Sequence, residues 1–119
     1  MTQSDLPTIR RLAQNGAFSV SDHAIDQMLA RNISYADLES ILTSPTNQII
    51  ECQSRSMTPG KQHSDERILI YDPKYAKDTI VIFVVLTAPV PDLRIITVEN
   101  VNYTIWERRE GAVPCLVRK

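Results

Sequence analysis

The sequence predicts an α+β fold in which N-terminal helices pack on a four-stranded, mainly antiparallel sheet. Before residue 45 the apolar residues recur at helical spacing, whereas from Asn47 onward they form strand-length runs separated by turn residues. A chain of 119 residues suffices for one hydrophobic core. We therefore expect residues 1–119 to form a single domain.

The first two predicted helices are amphipathic. The first runs from Ser4 to Asn15, and the second runs from about Asp22 to Asn32 with Ser21 as its N-cap. The second helix carries its apolar residues at helical spacing, which predicts that this stripe covers one face of the sheet. The residues of this stripe are Ala24, Ile25, Met28 and Leu29.

The third helix has the clearest local signal in the chain. Ser34 and Asp37 form a capping box, and Ile33 and Leu38 form the matching hydrophobic staple. The helix is predicted to end at Ser44, because Pro45 disfavours a helical residue before it.

Four segments after Asn47 are rich in Ile, Val and Leu and have the length of strands. They are Gln48–Gln53, Arg67–Asp72, Thr79–Thr87 and Arg94–Val101. The run Ile80–Leu86 is apolar at every position, which predicts a central strand covered on both faces. Ala17–Val20 is predicted as an extended link or a short edge strand, Ser54–Glu66 as a polar loop, and the tail from Tyr103 as a short helix or an ordered arm.

Composition narrows the classes of function. The formal net charge of −1 argues against tight non-specific binding of nucleic acid, although it leaves room for a compact RNA site with a few arginines. Cys52 and Cys115 are predicted to be free thiols, and no spacing typical of metal or cofactor ligands occurs. No apolar run reaches the length of a membrane span and the amino terminus lacks a signal-peptide pattern, so we expect a cytoplasmic protein without membrane contact.

His23 is the first candidate catalytic residue. It falls near the start of the second helix, where the positive end of the helix dipole favours a neutral imidazole that can accept a proton. Helical spacing places His23, Gln27 and Arg31 on one ridge, so that Arg31 could neutralise a phosphate. The alternative is a histidine that caps or packs and an arginine that pairs with an acid such as Asp37.

A second candidate cluster lies on the strands and the tail. Cleavage of RNA without a metal needs a base, an acid and cations, and aromatic rings can stack on bases. Arg67 is the candidate catalytic cation of this cluster. The candidate substrate-binding residues are Tyr71, Glu99, Tyr103, Trp106 and Arg108. The alternative interpretation of all six is ordinary polar surface and packing.

Two motifs resemble a family of small prokaryotic proteins classed as a domain of unknown function. The first, from His23 to Ser34, has the form H-A-x-x-x-M-x-x-R-x-I-S, and the second joins Ile96–Glu99 to Trp106 and Arg108-Arg109. The resemblance spans roughly Phe18 to Arg109. The family is similar in layout to the RelE-like and BrnT-like toxins, which implies helices on an antiparallel sheet and a metal-independent ribonuclease.

Two hypotheses about function follow. The first is an endoribonuclease of the toxin–antitoxin type, with His23 as base or acid and with Arg31 and Arg67 on the phosphate. The second is a non-catalytic protein-binding or regulatory module. In either case the tail is predicted to cover the second face of the sheet with Trp106, or else to leave that face to a homodimer or an antitoxin-like partner anchored by Trp106 and Tyr103.

Overall fold

The computed structural model describes residues 3–53, 66–86 and 90–119. A 3-10 turn at Gln3–Asp5 leads into three helices, which are α1 (Leu6–Gln14), α2 (Asp22–Ala30) and α3 (Tyr35–Thr43). The strands are β1 (Phe18–Val20), β2 (Gln48–Gln53), β3 (Arg67–Tyr71), β4 (Thr79–Leu86), β5 (Asp92–Asn100), β6 (Trp106–Arg109) and β7 (Cys115–Arg118). The predicted loop over Ser54–Glu66 lies outside the described residues except for Glu66.

The predicted caps position two of the helices. The Ser21 hydroxyl accepts a hydrogen bond of 3.1 Å from the Ala24 amide at the start of α2. At the start of α3, the Ser34 hydroxyl accepts from the Asp37 amide at 3.0 Å, and the Asp37 carboxylate accepts from the Ser34 amide at 2.9 Å. Both predicted caps are therefore confirmed, and the capping box fixes the turn between α2 and α3.

The main sheet has five strands in the order β1-β5-β4-β3-β2 and is mixed, which corrects the four-stranded prediction. Strands β2 to β5 pair antiparallel, and β1 joins the edge of β5 in parallel. The short edge strand considered for Ala17–Val20 is thus the fifth strand. Its partner lies more than seventy residues later, so no local pattern reveals the pairing. The prediction that Ile80–Leu86 is central is confirmed.

Helices α1 and α3 cover one face of this sheet, but the apolar stripe of α2 is only half buried. Ala24 and Met28 lie in the core, whereas Ile25 and Leu29 are exposed, so the prediction that the whole stripe covers the sheet was wrong. The reason is a hydrogen bond of 2.7 Å from the Val98 amide to the Gln27 side chain. This bond fixes the rotation of α2 against the edge of β5 and turns the opposite side of the helix towards solvent.

The tail forms the antiparallel β6–β7 hairpin, so the predicted short helix is wrong and the alternative of an ordered arm is realised as two paired strands. Trp106 is only 3% exposed and packs on the second face of the sheet. The predicted closure of that face by Trp106 is confirmed. Its buried apolar neighbours are Leu69, Tyr71, Ile80, Ile82, Val101 and Leu116. The tail alternates inward and outward side chains, but over only four residues, which is too short a run to predict a strand.

Asn47 holds the end of α3 in place. Its side-chain amide is buried and donates to the carbonyl oxygens of Ile41 and Leu42, each at 2.9 Å, while its Oδ1 accepts from Arg10 Nε at 2.9 Å. These two carbonyls are among those that a helix end leaves without a partner inside the helix.

We expect Asn47→Ala to lower the free energy of unfolding by roughly 3 kcal/mol, because it leaves two buried carbonyls unsatisfied. Urea unfolding measures the loss. The exposed Asn100→Ala variant is the control and should change stability by less than about 0.5 kcal/mol. Equal effects of the two substitutions would contradict this role for Asn47.

Candidate functional site

Polar side chains from both faces of the main sheet meet at one of its ends. At this end β3 finishes at Tyr71, β4 begins at Thr79, and Glu99 lies next to the last residue of β5. Tyr71 and Glu99 flank Ile80 on neighbouring strands. We call this group the sheet-end ledge. It consists of Arg31, Tyr71, Asp78, Glu99, Tyr103 and Arg108.

Arg31 reaches the sheet-end ledge from the helix side. It is the C-cap of α2, and its Nη2 donates to Thr79 Oγ1 at 3.2 Å and to the Asp78 carbonyl at 3.5 Å. Its Nη1 is buried and has no hydrogen-bond partner in the part of the chain that the structure describes. The alternative pairing with Asp37 does not form, since that carboxylate belongs to the capping box. Burial lowers the pKa of Arg31, but a guanidinium keeps its charge.

Glu99 is the carboxyl group of the ledge that is best suited to accept a proton. Partial burial raises the pKa of Glu99 above its ordinary value, and the positive charge of Arg31 opposes that shift. A carboxylate with a raised pKa is a stronger base than a fully solvated one. The two side chains form no ion pair among the described residues, so the ledge offers a base and a cation that interact electrostatically without direct contact.

Tyr103 and Asp78 form the exposed middle of the ledge. The Tyr103 hydroxyl donates to Asp78 Oδ2 at 2.8 Å. Burial, together with this hydrogen bond, raises the pKa of Tyr103 to about 12. The phenol therefore keeps its proton at neutral pH, and its half-exposed ring is open to a ligand.

Arg108 reaches the ledge from the hairpin side. Its Nη1 donates to the buried Tyr71 hydroxyl at 3.1 Å, and its Nε forms an ion pair of 3.0 Å with Glu110. Burial raises the pKa of Tyr71, although Arg108 opposes that shift. Tyr71 thus orients a guanidinium and does not itself face solvent.

The structure does not bring the three predicted catalytic residues together. His23 is exposed in the first turn of α2, about 12 Å from Arg31 along the axis at roughly 1.5 Å per residue. Arg67 lies at the opposite end of β3 from Tyr71, about 13 Å away at roughly 3.3 Å per residue. Of the three, only Arg31 belongs to the sheet-end ledge.

Four of the five predicted substrate-binding residues lie on the sheet-end ledge. Tyr71, Glu99, Tyr103 and Arg108 converge on the ledge, whereas the buried Trp106 has the guanidinium of Arg118 over its ring at 4.8 Å. Asp78 was missed by sequence analysis because it lies in a polar turn with no motif around it. Its role becomes visible only when Tyr103 folds back onto it.

Comparison with known proteins places the chain among domains that have no assigned activity. The sequence model of a family described as a domain of unknown function, DUF4258, matches residues 20–99. The match includes the motif from His23 to Ser34 and ends before Trp106 and Arg108. No curated protein and no solved structure matches the chain.

The described residues contain neither a membrane-spanning helix nor a cluster of metal ligands. Within 3–53, 66–86 and 90–119, no helix is long and apolar enough to cross a membrane. No group of three or more histidine, cysteine or acidic side chains in these ranges could hold a metal ion.

Proposed function

The chain belongs to the DUF4258 family, and we propose that it is an endoribonuclease that cleaves RNA at the sheet-end ledge without a metal ion. The main support is a single observation. The buried Arg31 Nη1 has N–H donors that no group in the described residues accepts, and the charge of the same guanidinium acts on the partly buried Glu99. A phosphate oxygen would satisfy those donors and bring the RNA backbone to the base.

The residues of the ledge match what cleavage by the ribose 2′-hydroxyl requires. Glu99 takes the proton of the 2′-hydroxyl, whose oxygen forms a bond to phosphorus while the bond from phosphorus to the 5′ oxygen breaks. The departing 5′ oxygen takes a proton from the Tyr103 hydroxyl, which regains one from water. Arg31 and Arg108 stabilise the negative charge that builds up on the phosphorus oxygens. The products are a 2′,3′-cyclic phosphate and a 5′-hydroxyl.

The arrangement of the fold gives further support. Helices on one face of a mainly antiparallel sheet are also the layout of the RelE-like and BrnT-like toxin ribonucleases, to which the family that the motifs resemble is similar. The formal charge of the ledge is balanced, with two arginines against Asp78 and Glu99. Such a site suits contacts with one or two phosphates and disfavours tight non-specific binding of long nucleic acids.

A second candidate function is a protein-binding module without catalysis. The observation that favours it is a group of exposed apolar residues on α2 and α3, away from the ledge. The two functions use different surfaces, so they can be tested separately and can coexist in one chain.

Expression in a bacterial host tests the enzymatic proposal and locates its site. We expect the wild-type chain to arrest growth and degrade RNA, and Glu99→Gln to abolish both effects because the base is lost. His23→Ala should retain both effects, since His23 lies outside the ledge. Growth rate and the integrity of total RNA are the measurements.

Two outcomes would count against the proposal. Equal growth and intact RNA for the wild-type and Glu99→Gln chains would contradict the proposed ribonuclease activity. Loss of activity in His23→Ala but not in Glu99→Gln would instead move the site to the start of α2.

A further inference from the structure

A groove lined by apolar side chains lies between α2, the start of α3 and the edge strand β1. It measures about 460 Å³. Its apolar lining residues are Val20, Ile25, Met28, Leu29, Ile33 and Tyr35. Leu29 is 75% exposed, and Ile25 and Tyr35 are also exposed. Three of the seven exposed large hydrophobic residues in the described ranges therefore line this one groove.

The fold itself determines that the α2 residues of this groove are exposed. On α2 the inward positions are filled by Ala24 and Met28, and the Gln27–Val98 hydrogen bond holds the helix in this rotation. Leu29 is therefore fixed in an outward position. On the other side of the groove the Tyr35 ring stacks on Phe18, with ring centres 4.8 Å apart, which holds that wall rigid. A preformed apolar groove in a small domain is typical of a binding surface.

Helix α2, which forms one side of the groove, carries two exposed acids. Asp22 and Asp26 are exposed on α2, three positions before Ile25 and Leu29 respectively, so each carboxylate lies beside one of these apolar side chains. Neither acid has an ion-pair or hydrogen-bond partner among the residues that the structure describes. A ligand that fills the groove would meet two unneutralised negative charges at its edge.

We propose that this groove binds an amphipathic helix of a partner protein, with apolar residues along one side and lysine or arginine at its flanks. An apolar helical stripe with anchors at i, i+3 or i+4 and i+7 fits a groove of this kind, and the flanking cations pair with Asp22 and Asp26. A second copy of the chain that docked through the same groove would bring its own acids against these two, and the like charges would repel each other. An anionic lipid surface would be repelled by them. The inference goes beyond the proposed function and holds whether or not the chain cleaves RNA.

The probe for a test is a synthetic helix-forming peptide of about 15 residues, with leucines in one stripe and lysines flanking it. Two control peptides keep the length. One has the same composition in scrambled order, and the other carries glutamate in place of lysine. We expect the wild-type chain to bind the striped basic peptide at least about tenfold more tightly than either control, as measured by fluorescence anisotropy.

Variants assign the binding to the groove. Leu29→Ser should weaken binding of the striped peptide about tenfold, and Asp22→Lys combined with Asp26→Lys should reverse the preference between the lysine and glutamate peptides. Val90→Ser is the matched control, because Val90 is 68% exposed and does not line the groove. RNA degradation by Leu29→Ser should equal that of the wild-type chain, which separates this test from the enzymatic one.

Three results would overturn the proposal. The first is equal binding of the striped and scrambled peptides. The second is binding that Leu29→Ser and Val90→Ser change equally. The third is a dimer in light scattering that Leu29→Ser dissociates, because a second copy would then be the occupant.

Discussion

Replacing Trp106 by alanine is expected to lower the free energy of unfolding by about 3–5 kcal/mol. The indole is almost fully buried against the second face of the main sheet, where Leu69, Ile80 and Ile82 pack around it. Removing it leaves a cavity and also weakens the packing of the hairpin on the sheet, since Leu116 of β7 lies in the same cluster. The largest loss of stability from a single tail residue should therefore occur here.

Urea unfolding of Trp106→Ala beside Val113→Ala measures this effect. Val113 is an exposed apolar residue of the same tail, and its replacement should change stability by less than about 0.5 kcal/mol. Similar small losses of unfolding free energy for both variants would contradict a structural role for Trp106 and would indicate that the tail is exposed to solvent.

Much of the fold could be predicted from the sequence because its signals are local. The Ser34–Asp37 capping box depends on residues three positions apart, and the apolar run Ile80–Leu86 needs no partner to mark a central strand. The limits of β2 were predicted as the structure has them, at Gln48–Gln53.

The parts that sequence analysis missed depend on distant contacts. Strand β1 is defined by hydrogen bonds to β5, and the rotation of α2 is set by the bond from Val98 to Gln27. Periodicity gives the apolar stripe of α2 but cannot say which half of it faces the core. Similarly, the period of two in the β6–β7 hairpin covers too few residues to distinguish a hairpin from a short helix.

The candidate site likewise contains residues that sequence analysis selected and one that depends on a distant contact. Residue type, together with helical spacing for Arg31, was enough to select Arg31, Glu99 and Tyr103, which the fold brings to one end of the sheet. It also selected His23 and Arg67, which the fold separates, because type and spacing carry no information about which ends of different strands meet. The contribution of Asp78 depends on a tyrosine twenty-five residues away and has no sequence signal.

Replacing Glu99 by glutamine is expected to lower the rate of RNA cleavage by about 10²–10⁴-fold, the usual contribution of a general base. The amide keeps the size of the side chain but cannot take a proton from the 2′-hydroxyl. Because Glu99 is proposed to act as a carboxylate and burial raises its pKa, the wild-type rate should rise with pH through that raised pKa and then level off. The variant should lack this rise.

The same pKa shift predicts that the loss of rate does not come from unfolding. A carboxyl whose pKa is raised in the folded state binds its proton more tightly there than in the unfolded chain. The stability it contributes is present below the unfolded pKa and is lost as the pH rises through the raised folded pKa. At neutral pH Glu99→Gln should therefore unfold at the same urea concentration as the wild-type chain or at a higher one. Glu107 is exposed, so Glu107→Gln is the control variant for both the RNA-cleavage and the urea-unfolding measurements.

The most direct test of the ribonuclease proposal is cleavage of a DNA oligonucleotide that contains one ribonucleotide, in the presence of EDTA. The proposed chemistry predicts a single cut on the 3′ side of the ribonucleotide, a 2′,3′-cyclic phosphate on one product, and the loss of this cut with Glu99→Gln but not with Glu107→Gln. An uncut oligonucleotide at protein excess, or equal cutting by wild-type and Glu99→Gln chains, would contradict it.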